Sequence, residues 1–117
     1  MSLGAQLSVT DMRRSTRHPV DYRLIAEHRQ RGDVHLHIVN VSAHGFMAQD
    51  DPATVQLDLG RGERVVVRLP QVGRIEAHLI WSSGDRAGFQ FERILRAADF
   101  IALIDTLQPN PRLRGRR

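Results

Sequence analysis

Cysteine is absent from the 117 residues. That excludes a disulfide framework, a thiolate zinc site and a cysteine nucleophile. Lysine is absent too, so all 17 basic residues are arginine. Arginine makes planar, two-pronged hydrogen bonds to phosphates and to guanine edges, which lysine cannot. A GC-rich coding sequence accounts for much of that bias, so composition alone suggests anion binding without establishing it. No apolar run approaches the about 20 residues needed to span a bilayer. The N-terminus has no apolar core of a secretion signal, and the expected location is the cytoplasm.

Length fits one domain, and 41% apolar with 26% charged residues is ordinary for a globular chain. The net charge of +4 is concentrated at the ends. Residues 13–31 carry six arginines against Asp21 and Glu27, whereas residues 32–111 carry seven arginines against ten acids. Arg112, Arg114, Arg116 and Arg117 make the tail basic. With Pro109, Pro111 and Gly115 around them, residues 109–117 read as a disordered basic tail. Such a tail can touch nucleic acid or remain solvated.

Alternation of apolar and polar residues dominates the middle. Val20, Tyr22, Leu24 and Ala26 form one face of a strand, and Val34, Leu36 and Ile38 form another. Asn40 to Gly45 reads as a turn, and Phe46-Met47-Ala48 leaves it as a short strand. Thr54–Leu59 is ambiguous. Val65, Val67 and Leu69 alternate, then Ile75, Ala77, Leu79 and Trp81, and last Ala87, Phe89 and Phe91, with a turn at Ser83-Gly84-Asp85. About six short strands joined by short turns predict a mainly β fold, a small antiparallel barrel or sandwich. Ala97, Phe100, Ile101, Ile104 and Leu107 fall on one face of a helix that Pro109 ends. This face could cover a barrel end or meet a second copy of the chain. Residues 1–12 read as a flexible segment, 13–19 as a basic arm, 20–95 as the barrel and 96–108 as the helix.

Two motifs stand out. Arg13-Arg14-Ser15-Thr16-Arg17 contains R-x-x-x-R, a spacing that occurs three times here and is expected about twice by chance. Asn40-Val41-Ser42-Ala43-His44-Gly45 contains [DN]-x-S-x-x-G, with about 0.04 matches expected by chance. Arginines on an arm can grip phosphates or guanine edges. The Asn40 amide can donate and accept at a base edge, and the Ser42 hydroxyl can reach a phosphate oxygen. Gly45 permits close backbone approach or a positive φ. Residues of these types also make good turns without any ligand. No nucleophile is paired with a base, so the constellation points to recognition and not to an enzyme.

At these positions the sequence resembles the PilZ domain family of bacterial cyclic di-GMP receptors. The resemblance spans most of residues 13–95, including Arg17-His18-Pro19-Val20 and the strands Ala77–Trp81 and Gly88–Phe91. It implies a six-stranded antiparallel barrel with the ligand held between arm and barrel. It also implies ligand-binding roles for Arg13, Arg14, Arg17, Asn40, Ser42 and Gly45. His44 stands where the family often has a small residue. Met12, before the arginine pair, leans towards one bound ligand and not a stacked pair.

The function expected is a second-messenger sensor or adaptor that needs no cofactor. Its arm would change conformation on binding and signal to a downstream protein. The rivals are a PilZ-like interaction module without nucleotide binding and a small RNA-binding barrel using the basic ends. His35 and His37 share a strand face but have no third metal ligand beside them. Trp81, Phe89 and Phe91 could stack bases, but their alternation with polar neighbours favours core packing.

Overall fold

The alternating segments do form strands, and they close on one another. The computed structural model describes residues 17–50 and 59–107. It contains β1 (His18–His28), β2 (Gly32–Val41), β3 (Gly45–Gln49), β4 (Arg64–Leu69), β5 (Gly73–Ser83), β6 (Arg86–Phe91) and helix α1 (Ala97–Leu107). The strands form a closed antiparallel barrel in the order β1-β2-β3-β6-β5-β4, as the alternation and the family resemblance predict. The expected flexible segment 1–12, arm residues 13–16, the uncertain stretch 54–58 and the tail 109–117 lie outside the described residues.

Inward side chains fill the barrel. Leu36, Ile38, Phe46, Val65, Val67, Ile75, Ala77, Leu79 and Phe89 are all buried. Phe46 stacks on Phe89 with ring centroids 4.9 Å apart and leans on Phe91 at 5.7 Å. Offset aromatic pairs of this kind add about 1 kcal/mol beyond their buried area. The β1–β4 seam is the thinnest, with Glu27 opposite Val66 its single laddered pair.

Strict alternation fails at three register shifts, each with one extra residue on one strand. They fall between Pro19 and Tyr22 on β1, Ile38 and Asn40 on β2, and Leu79 and Trp81 on β5. A bulge of this kind bends a strand and re-aims the side chains beyond it. On β2, Ile38 and Val41 are both buried, so the extra residue turns Asn40 outward. On β5, Trp81 opposes Gly88 and lies half-buried on the outer surface. Core packing is therefore corrected for Trp81, while Phe89 and Phe91 do sit in the core.

The helix also differs from its predicted face. Phe100, Leu103 and Leu107 are its buried residues, and Ile101 is 60% exposed. The spacing i, i+3, i+7 follows one helical stripe; Ile101 lies one residue past it. Phe100 meets the His18 ring edge-on at 5.3 Å, so α1 covers the end of the barrel where β1 begins. The adjoining Leu95 is fully buried, and its amide donates to the Ala43 carbonyl at 3.0 Å.

Candidate functional site

Hairpin register builds the site. Pairing of His18 with Val41 and of Pro19 with Asn40 brings the start of β1 beside the end of β2. Arg17, one residue before β1, therefore reaches Asn40 although 23 positions separate them, and its Nη1 donates to Asn40 Oδ1 at 3.2 Å. The turn expected at Asn40–Gly45 is shorter than its composition suggested. Asn40 and Val41 still belong to β2, Gly45 opens β3, and only residues 42–44 connect them.

Ser42 holds that connection. Its amide donates to the Gly45 carbonyl at 2.8 Å, and its Oγ accepts the His44 amide at 3.1 Å. The hydroxyl is buried yet keeps its own hydrogen to donate. Gly45 is required by space and not by dihedral angle, since it is not among the positive-φ glycines. A Cβ there would run into the Phe89 backbone carbonyl on β6. Gly88 is constrained similarly, because the Trp81 indole lies across it where a Cβ would stand.

These features converge on a cavity of about 280 Å³. Arg17, Ser42, His44, Gly45, Trp81 and Gly88 are among the residues that line it. No carboxylate among the described residues lines it. Arg17 is bonded to a neutral amide, so its charge is uncompensated by an acid in the cavity. A flat apolar ring, a guanidinium and a hydroxyl lining one cavity suit a planar, anionic ligand. Of the sequence candidates, Arg17, Asn40, Ser42 and Gly45 are brought together; Arg13 and Arg14 lie outside the described residues. Trp81, which the sequence offers as a base-stacking residue but favours as core, lines this cavity instead, and the bulge that turns it outward leaves no local signal in the sequence.

A larger cavity of about 690 Å³ lies at the opposite end of β1. There the His28 ring is buried. Its Nδ1 accepts the amides of Gln30 at 3.1 Å and Arg31 at 3.1 Å. Amides only donate, so Nε2 carries the ring hydrogen and donates to Glu63 Oε1 at 2.7 Å. The other Glu63 oxygen accepts the Gly60 amide at 2.7 Å. That backbone hydrogen bond, then the one from His28, hold the Glu63 carboxyl below its usual pKa. Among the described residues, Glu27, Glu63 and Glu76 and the arginines Arg29, Arg64 and Arg74 line this cavity, with Arg64 3.6 Å from Glu76.

Among the described residues no group of three His, Asp or Glu is placed to hold a metal ion. His37 instead meets Asp21 at 2.7 Å. No described helix is long and apolar enough to cross a membrane. No curated protein matches the chain. A family model, the PilZ domain, matches residues 11–107. That span takes in the arm, all six strands and the helix, and the chain belongs to the PilZ domain family.

Proposed function

We propose that this PilZ domain is a sensor or adaptor that binds cyclic di-GMP at the cavity in front of Gly45. PilZ domains form a family of receptors for this dinucleotide. The observation that carries the reading is the 3.2 Å contact between Arg17 and Asn40, which joins the arm motif to the turn motif at one acid-free cavity. Arg17 grips a phosphate or a guanine edge with its two-pronged guanidinium. Asn40 exchanges its bond to Arg17 for the base edge, a trade between neutral amide and ligand that costs little in an exposed pair. Ser42 donates its hydroxyl hydrogen to a phosphate oxygen, and Trp81 stacks on a base. Arg13 and Arg14 close over the ligand from the arm. The ordering of that arm changes the surface offered to a downstream protein, an order–disorder switch.

Isothermal titration of the folded protein with cyclic di-GMP tests the reading. Saturable heat that disappears in Arg17→Ala and persists after deletion of residues 109–117 is expected. Absence of heat with the barrel folded overturns it and favours an interaction module. Binding lost with the tail, with steep salt dependence on an RNA probe, would favour the RNA-binding barrel.

A further inference from the structure

We infer that Arg61 and the hollow beside it form a second half-site for the same ligand, adjoining the Gly45 cavity at Trp81. The inference rests on the proposed binding of cyclic di-GMP and extends it. That ligand is two guanosine monophosphates joined in a ring, so it carries two planar bases and two phosphate charges. Cavities that enclose a whole small ligand span about 300–1,000 Å³. The cavity at Gly45, at about 280 Å³, falls below that range. A ring of two nucleotides is larger than the ligands such a cavity encloses, so part of it extends beyond the cavity at Gly45.

A neighbouring hollow of about 340 Å³ is lined by Leu59, Arg61, Leu79, Trp81 and Ser82. Among the described residues, Trp81 alone lines both this hollow and the first cavity, so the two adjoin at that residue. Among the described residues no carboxylate lines the hollow, and Arg61 is the one charged residue that does. Arg61 is held in place by its own inner nitrogen: Nε donates to the Ile80 carbonyl at 3.1 Å, at the extra residue of the β5 bulge. Both terminal amino groups of the guanidinium stay available for an anion. The loop beneath is fastened to β5, with the Gly62 amide on the Leu79 carbonyl at 2.8 Å and the Leu79 amide on the Glu63 carbonyl at 3.0 Å. A cation fixed in a hollow that an aromatic ring also lines needs little ordering to meet a base and its phosphate. The bulge thus acts twice, turning Trp81 outward and presenting the carbonyl that anchors Arg61.

The test is calorimetry of the wild type, Arg61→Ala and Arg61→Met with cyclic di-GMP over a range of salt. Loss of one charge-assisted contact should weaken both variants about tenfold. Both should also show a shallower salt dependence than the wild type, because one ligand charge has lost its partner. Arg61→Met retains the aliphatic stem, so loop packing alone would spare it. Equal affinity of wild type and variants overturns the second half-site and leaves the Gly45 site standing. Weakened affinity with an unchanged salt dependence also overturns it, by reducing Arg61 to a support for the loop. No heat from the wild type overturns the nucleotide reading itself, and the half-site with it.

Discussion

The two ends of β1 carry the two cavities, and they differ in how charge is settled. At the His28 end acids and arginines line the cavity together, Arg64 lies within reach of Glu76, and the His28–Glu63 pair satisfies itself through three backbone amides. This end is the larger by volume. At the Arg17 end the cation faces a neutral amide, a hydroxyl, an indole and a backbone kept open by Gly45 and Gly88. A cavity lined by Glu27, Glu63 and Glu76 offers an anion little, because those carboxylates repel it and compete for the arginines beside them. One whose cation lacks an acid gains from an anion. Size and receptiveness therefore point to opposite ends, and the charge ledger favours the smaller cavity.

The largest expected effect comes from closing the gap that keeps the smaller cavity open. Gly45→Val forces a branched side chain into the Phe89 carbonyl, where backbone and not a flexible tip must give way. Overpacking of this kind should cost about 3 kcal/mol. Urea denaturation should show a lowered midpoint, and a midpoint like the wild type's would mean that β3 and β6 are not so close. Next is Arg17→Ala. Its effect should fall on ligand affinity, about a hundredfold, with the melting temperature nearly unchanged because its bond to Asn40 is exposed. A variant that melts much earlier would show Arg17 to be a structural residue and would erase the contrast between the ends.

Sequence made much of this legible, and its failures are local. Alternation located all six strands because each buries one face, and that constraint acts residue by residue. The same rule placed Trp81 inside with Leu79, since a single extra residue on β5 changes the phase without changing composition. Asn40 was recognised by its motif, but its outward aim depends on a comparable shift on β2. Leu103 was overlooked in the helix while Ile101 was included, because two apolar stripes were available and only docking on the barrel selects between them. His28 and Glu63 gave no sign at all. They are 35 positions apart, and closure of the barrel alone brings them together.

The self-satisfied end should behave as a brace. His28→Ala removes a buried ring that bonds two amides and a carboxylate. The expected loss is about 2 kcal/mol of stability, with affinity for cyclic di-GMP unchanged. A fall in affinity comparable to that of Arg17→Ala would show that the two ends communicate.

The smallest effect is the one that reads the brace through pH. Glu63 has a folded pKa below the unfolded value of 4.5, held there by the Gly60 amide and by His28. A depressed carboxyl contributes its stability in full above the unfolded value. The contribution fades as pH falls through the folded pKa, because the unfolded chain takes up the proton first. Glu63→Gln has no proton to gain, and its single amide oxygen cannot accept from both Gly60 and His28. The variant should therefore be less stable than the wild type at neutral pH, and the gap should narrow as pH drops below 4.5. Chemical denaturation of both proteins across that range measures the gap. Two parallel curves would mean that the carboxylate charge is not part of the brace at the His28 end.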